Sequence, residues 1–349
     1  MSRGVASLGS RRAARPDRSL QGPAQSLPEA SRPADPGGTT DLFSAAAGLI
    51  HRRFLVLAYL VGLLIAVSPV PGSAQNGRSL VLSAESVLLL DPSGQIIFAK
   101  NPDEAHAPAS LVKLMTLYLA FEDLEAGRVN LEESVAVSPR VARTPKYRMG
   151  LRSGEHVPFD VLLKGVGIAS ANDAAAAVAE RLGGDEETFV ARMNEKAQAL
   201  DLRHTHFANP HGLPDPNQRS TATDLAHLTG YLLQDHPDVR TILGGNTFTY
   251  RGQVFQRRIP LFQNPGGVQA LKTGFTREAR YNLAVAAWRG VQRFLCILLG
   301  SETRSLSFID ARKLLQYGFI QTGLEPAAAE PRALPRKNGR SPAVLRTGS

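Results

Sequence analysis

Ser110 and Lys113 stand three residues apart, Ser170 and Asn172 two apart, and Lys272, Thr273 and Gly274 in a row. A serine hydroxyl attacks well only when a base takes its proton, and a lysine amine is a base only while it is neutral. At the start of a helix a spacing of three places both side chains on one face, about a turn apart. Desolvation and neighbouring cations lower a lysine pKa, and a buried helix with few carboxylates supplies the first of these. The Ser110 N–H, near a helix N-terminus, is also a donor for an oxyanion. A second hydroxyl at Ser170 suits proton relay to a leaving amine, and the Asn172 amide suits holding both substrate and lysine. Lys272 and Thr273 offer a cation and a hydroxyl to a carboxylate. Gly274 removes a side chain where a substrate would run beside a strand. In this order the set describes a serine acyltransferase whose base is lysine.

The three fragments differ in specificity. Ser-x-x-Lys arises by chance about once in a chain of this size, and an Asn/Ser pair between helices is ordinarily a cap or turn. Lys and Gly inside an apolar strand have no comfortable structural excuse, so Lys272-Thr273-Gly274 discriminates best. His204, His206 and His211 cluster without a His-Glu-x-x-His or Cys pair, which argues against a metal site. No Gly-rich phosphate loop follows a strand, so no cofactor is implied. The one cysteine, Cys296, sits in Phe-Leu-Cys-Ile-Leu-Leu and reads as a core residue.

Elements must position these groups. Val81–Leu90 reads as an apolar strand, Asp91-Pro92-Ser93-Gly94 as a turn, and Gln95–Ala99 as the return strand. Ala109–Glu125 has helical period, with Leu111, Leu114, Met115, Tyr118 and Leu119 three and four apart. Asp160–Leu182 and Glu186–Leu200 follow as helices, with Gly183-Gly184 stopping the first. Ser170-Ala171-Asn172 falls in an interruption between Val161–Ile168 and Ala174–Ala179. Thr223–Gln234 is a further helix with Thr223 as its N-cap. Gln269–Thr276, Asn282–Trp288 and Arg293–Leu299 form a strand meander, and a last helix spans Leu306–Tyr317. The expected fold is mixed α/β (α+β): one antiparallel sheet built from both chain ends, helices flanking it, and a mainly helical subdomain.

The formal charge of +9 lies mostly in the tails: +4 in residues 1–53, +3 in 325–349 and only +2 between them. A nucleic-acid binder concentrates charge on a folded face, so nucleic acid is an unsuitable partner. Residues 1–50, rich in Arg, Ala, Ser, Pro and Gly, read as a disordered extension, and 324–349 as a disordered tail. His51-Arg52-Arg53, the apolar run Phe54–Val67 and small residues ending at Ala74 make 51–74 a secretory signal peptide, leaving a folded domain over 75–323. Fourteen apolar residues followed by Pro69 and Pro71 are short for a membrane span of ~30 Å. The expectation is export to the periplasm with no stable membrane anchor once the signal is cut.

From about Ser83 to Phe319 the chain resembles the low-molecular-mass penicillin-binding proteins, the D-alanyl-D-alanine carboxypeptidase family of serine peptidases. The likeness rests on Pro-Ala-Ser-Leu-Val-Lys-Leu-Met-Thr around Ser110, Ser-Ala-Asn-Asp-Ala from Ser170, Thr-His-Phe-Ala-Asn-Pro-His-Gly-Leu at 205–213, Ser-Thr-Ala-Thr-Asp-Leu-Ala at 220–226 and Leu-Lys-Thr-Gly-Phe-Thr at 271–276. It implies a β-lactamase/transpeptidase-like fold. It further implies that Ser110 attacks the bond between two terminal D-alanines of a peptidoglycan stem peptide, with Lys113 as base. Ser170 would relay the proton, Asn172 orient the substrate, Lys272, Thr273 and Gly274 bind the terminal residue, and the N–H groups of Ser110 and Phe275 form the oxyanion hole. β-Lactams would acylate Ser110. A D,D-endopeptidase acting on crosslinks uses the same residues and is the alternative.

Three departures from the family pattern stand out. Arg280 replaces the usual glycine after the Lys-Thr-Gly strand. Ser307 occupies the place of an arginine near the last helix, with Arg304 nearest. The sequence stops soon after Phe319, short of a C-terminal β domain. A class A β-lactamase would need a Glu-x-x-x-Asn downstream of Asn172, and none of Glu180, Glu186, Glu187 or Glu195 has Asn four residues on. A non-catalytic peptidoglycan-binding protein would tolerate loss of Ser110 or Lys113, and both are present.

Overall fold

Leu88 and Leu90 pack on one side of strand β1 (Ser86–Leu90) and Val87 and Leu89 on the other, so this strand needs cover on both faces. The computed structural model, which describes residues 80–145, 147–257 and 267–324, gives it that cover. β1 lies second in a five-stranded antiparallel sheet of order β2-β1-β9-β8-β7. Its neighbours are β2 (Ile96–Lys100) and β9 (Gln292–Ser301), the latter in a register that sets Leu88 opposite Ile297. β8 (Arg280–Arg289) and β7 (Val268–Thr276) complete the sheet, with β7 at the edge. The sheet is thus built from both ends of the described chain. The disordered extension, the signal peptide and all but one residue of the tail expected from the sequence lie outside the described residues.

The alternation continues through the meander. Ala284, Ala286, Leu295, Ile297 and Leu299 face the main core, and Leu283, Val285, Phe294, Cys296 and Leu298 face the last helix. Cys296 is buried there as a free thiol, and burial pushes its pKa up.

Helix α1 (Lys113–Glu125) is buried nearly all round and forms the axis of the helical region. Two short strands, β3 (Ser134–Ala136) and β4 (His156–Pro158), flank the one-turn α2 (Pro139–Ala142). The expected helix over Asp160–Leu182 is broken where the sequence reading placed an interruption. α3 (Phe159–Lys164) runs into a π-helical turn, Gly165–Ala169, Ser170 takes a left-handed conformation, and α4 (Asn172–Gly183) starts afresh. Asp185 caps α5 (Glu186–Ala199) by accepting the Thr188 N–H at 2.7 Å. α6 (Ala222–Asp235) is capped by Thr221 and not by Thr223: the Thr221 hydroxyl accepts the Asp224 N–H at 3.1 Å, while Thr223 donates to Asp103. α7 (Val239–Leu243) and the hairpin of β5 (Thr247–Tyr250) and β6 (Gln253–Gln256) lead back to the sheet.

α8 (Arg304–Gln321) is longer than the expected Leu306–Tyr317, and the first strand is shorter, starting at Ser86 and not Val81. Phe308, Ala311, Leu314, Leu315 and Phe319 of α8 cover the outer sheet face. No helix among the described residues is long and apolar enough to cross a membrane.

Candidate active site

The chain reaches Ser110 through Ala109, whose φ of 48° forces a sharp reversal, and continues as a 3-10 turn over Ala109–Val112 before α1 begins at Lys113. Ser110 therefore sits one turn before the α-helix proper. Two glycines clamp this turn. A Cβ on Gly212 (φ 85°) would stand 2.0 Å from the Ala109 carbonyl oxygen, and one on Gly274 would stand 3.1 Å from the Ser110 nitrogen. The sequence points to Gly274 for substrate clearance; in the structure its missing side chain lets β7 press against the turn that carries Ser110. Asn282 of β8 ties the approach to the sheet by donating to the Ala107 carbonyl at 2.9 Å and accepting the Gly300 N–H.

Lys113 is fully buried, and its ammonium has three partners. Nζ lies 3.2 Å from Ser110 Oγ and 2.8 Å from Asn172 Oδ1, and it also donates to the His211 carbonyl. Burial pushes Lys113 down to about 7, although the Asp173 carboxylate pulls the other way. A substantial share of molecules at neutral pH therefore holds a free amine beside the serine hydroxyl.

Ser170 owes its position to the π turn and its own left-handed backbone, with φ 56° and ψ 32°. Lys272 Nζ donates to Ser170 Oγ at 2.7 Å and to the Thr273 carbonyl at 2.9 Å. Burial pushes Lys272 well below the usual lysine range, and the positive charges of Lys113 and Arg257 push the same way. Two lysines thus meet two serines and one asparagine in a single cluster. Thr273 is half-buried, and Phe275 is 46% exposed with its ring 4.5 Å from that of Tyr281. The structure brings six of the eight residues singled out from sequence into direct contact or close approach: Ser110, Lys113, Ser170, Asn172, Lys272 and Gly274. Thr273 and Phe275 flank Gly274 on the same strand.

Several supporting groups escaped the sequence reading. Asp173 accepts the N–H groups of Met149, Gly150 and Leu151 at 2.9–3.0 Å, latching the loop before β4 over the start of α4. His211 contributes its carbonyl; its imidazole accepts the Leu213 N–H, and burial beside Lys113 pushes it down to about 3. Asn209 and Thr116 fix that loop through the Gly212 N–H and the Pro210 carbonyl. The Asn-Pro-His-Gly run at 209–212 was a readable turn signal for this loop. Arg257 is buried and donates to the carbonyls of Gly167 in the π turn, Ile242 and Leu243 of α7, and Leu271 of β7.

The family departures also resolve locally. Arg280 has φ 53°, the left-handed backbone that glycine favours, and its guanidinium pairs with Glu85 at 2.8 Å. Ser307 is buried and donates to the Arg304 carbonyl, so its hydroxyl turns into the helix. Arg304 places its guanidinium 6.0 Å from the Phe308 ring centre. No group of three or more His, Cys, Asp or Glu suited to a metal occurs among the described residues.

A family model for the peptidase S11 D-alanyl-D-alanine carboxypeptidases matches residues 73–303. The D-alanyl-D-alanine carboxypeptidase DacF of Bacillus subtilis is 33% identical over 283 residues, covering 78% of this chain and 72% of that protein. DacA of Escherichia coli is 34% identical over 246 residues, 68% of this chain but only 61% of its own length. Among solved structures, penicillin-binding protein 5 of Haemophilus influenzae is 33% identical with a TM-score of 0.66, over 69% of this chain and 72% of that one. The ampicillin-bound penicillin-binding protein D2 of Listeria monocytogenes is 30% identical with a TM-score of 0.64, and the match spans 69% of this chain and 99% of that one. The family model, the curated relatives and the shared fold agree, and the chain belongs to the D-alanyl-D-alanine carboxypeptidase family, the S11 serine peptidases.

Proposed function

We propose that this protein is an exported serine D,D-carboxypeptidase that removes the terminal D-alanine from peptidoglycan stem peptides. The observation that carries this reading is the buried Lys113 amine, held between Ser110 Oγ and Asn172 Oδ1 with its pKa near neutrality. Neutral Lys113 takes the Ser110 proton as Oγ attacks the carbonyl carbon of the penultimate D-alanine. The oxyanion that forms is met by the N–H groups of Ser110 and Phe275, a reading supported by the close packing of Gly274, the neighbour of Phe275, against the Ser110 nitrogen.

Collapse of the tetrahedral adduct breaks the peptide bond. The departing amine takes a proton from the Ser170 hydroxyl, which Lys272 replenishes across its 2.7 Å hydrogen bond. Lys272 and Thr273 hold the carboxylate of the leaving D-alanine until it departs. Lys113 releases to solvent the proton it took and Lys272 regains one from solvent; neutral Lys113 then takes a proton from the water that attacks the acyl-enzyme and returns it to Ser110 Oγ as the shortened peptide leaves. β-Lactams present a strained amide beside a carboxylate and would acylate the same serine, in keeping with the ampicillin-bound state of the Listeria relative. The residue pattern of 51–74, outside the described residues, motivates export to the periplasm.

The test is a product assay with a pentapeptide stem and a crosslinked dimer. D-alanine released from the pentapeptide supports the carboxypeptidase. Monomers released from the dimer, with no free D-alanine from the pentapeptide, would replace it with an endopeptidase. Labelling of Ser110→Ala by fluorescent penicillin, at the native rate, would remove Ser110 from the mechanism.

A further inference from the structure

Leu295 of β9 lies opposite Leu90 of β1 on the sheet face that α6 covers. Arg293 precedes Leu295 by two residues on the same strand, so its side chain stands on that face as well. A cavity of about 210 Å³ opens there, walled by Leu90, Leu295, Tyr231 and Gly230, and Arg293 and Asp91 line it too. Arg293 is half-buried, and no hydrogen bond or ion pair among the described residues holds its guanidinium. Burial pushes its pKa below the ordinary arginine value, and the positive charge of Arg240 pushes the same way. Arg240 itself lies 4.4 Å from the Trp288 ring centre, with no carboxylate partner among the described residues. Asp91 answers neither arginine. Its Oδ1 accepts the Ser93 N–H, the Ser93 hydroxyl and the Gln95 N–H at 2.7–2.9 Å, and it forms no ion pair among the described residues.

Gly230 is the second observation. It sits inside α6, where glycine weakens a helix relative to alanine, and its φ is not in the left-handed region that glycine favours. A Cβ at this position would touch the Leu295 side chain at 3.5 Å, an ordinary contact, and come within 4.0 Å of an Arg293 guanidinium nitrogen. Neither the backbone nor the packing therefore demands glycine. What the missing side chain leaves is room beside a half-buried cation that has no counter-ion, which is costly unless something fills it.

We propose that this cavity under α6 is a second binding site, one that takes a small monocarboxylate with an apolar tail. The carboxylate pairs with Arg293 in the space beside Gly230, and the tail lies along Leu90, Leu295 and Tyr231. The volume limits the ligand to a short chain, and the Asp91 carboxylate repels a second negative charge. None of these residues belongs to the Ser110 cluster, so the site stands apart from the reaction and does not depend on the carboxypeptidase reading.

The experiment titrates the full-length protein with butyrate, hexanoate and hexanol and reads Kd from amide shifts in NMR spectra. Each buried methylene is worth about fourfold, so hexanoate should bind about tenfold tighter than butyrate. Hexanol, which lacks the charge, should bind about tenfold more weakly than hexanoate. Arg293→Gln should level hexanoate with hexanol, and Gly230→Leu, which fills the cavity, should remove both. Gly230→Ala should raise the unfolding temperature by a few degrees while weakening hexanoate, since it strengthens the helix and narrows the site. Thermal unfolding of each variant separates lost binding from lost fold, and Arg293→Gln decides alone if Gly230→Leu does not fold. No saturable binding of hexanoate, or equal affinity for hexanoate and hexanol in the native protein, would overturn the site. So would hexanoate binding that survives Arg293→Gln unchanged, the outcome expected of a carboxylate lodged at Lys272 instead.

Discussion

Lys113 has an ordinary side chain in an extraordinary place, and its chemistry follows from burial. With its pKa at about 7, the free amine is the minority form below that pH and the dominant form above it. Acylation by a β-lactam or a stem peptide should therefore rise through about pH 7 and level off on the alkaline side; a rate flat from pH 5 to 9 would deny Lys113 the base role. The sign for stability is the same. The unfolded lysine keeps its proton up to its ordinary pKa of 10.5, so burying it costs most below about pH 7, and this cost is relieved as pH climbs above that. Lys113→Ala should lower acylation by roughly 10²–10⁴-fold, the usual worth of a general base, without unfolding the protein. Lys272 makes a different prediction. An arriving carboxylate favours its charged form against the burial, Lys113 and Arg257 that oppose it, so binding should take up a proton. Calorimetry in buffers of different ionisation enthalpy reads that uptake directly, and a buffer-independent enthalpy would refute it.

At the scale of elements, the site is an assembly of turns more than of helices. The 3-10 turn carries Ser110, the π turn ends at Ser170, and the 209–213 loop delivers a carbonyl to Lys113. Gly212→Ala would drive a Cβ into the Ala109 carbonyl at a backbone angle that alanine rarely adopts, so it should cost several kcal/mol and abolish acylation together. Thr221→Ala should cost only about 1 kcal/mol, the worth of a helix cap, with activity retained; thermal unfolding and penicillin labelling separate the two. This contrast explains what the sequence could tell. The spacings of Ser110 to Lys113 and Ser170 to Asn172 encode side-chain chemistry, and they were readable. The contributions of His211, Gly167 and Leu271 come from main-chain carbonyls, which leave no residue-type signature. The break at Ser170 was visible as an interruption, but the π turn and the left-handed serine were not, since neither requires a special residue there. Thr223 and Thr221 offer the same hydroxyl, and only the entry angle of the chain chooses between them.

For the whole molecule, the candidate site lies where the helical region meets the edge of the sheet, and Arg257 joins the two. Its guanidinium reaches the π turn three residues before Ser170 and β7 one residue before Lys272. Arg257→Leu would leave several buried carbonyls without their donor, with an expected loss of about 3–5 kcal/mol and of acylation with it. If unfolding shifts but acylation per folded molecule is unchanged, Arg257 supports the fold without aligning the two serines.

The strand order carries a consequence in time. β1 and β9 are hydrogen-bonded neighbours although Leu88 and Ile297 are separated by almost the entire described chain. Closing so long a loop is entropically slow, and β1, paired early with β2, joins β8 and β7 only once β9 exists near the end of the domain. Ser110 and Lys113 are made early, yet the edge strand that presses Gly274 against them is anchored to that late sheet. Ser110 thus waits for its anchored edge strand until β9 is made, and a chain caught between residues 276 and 292 holds every side chain of the candidate site but lacks the strand that joins β1 to β8.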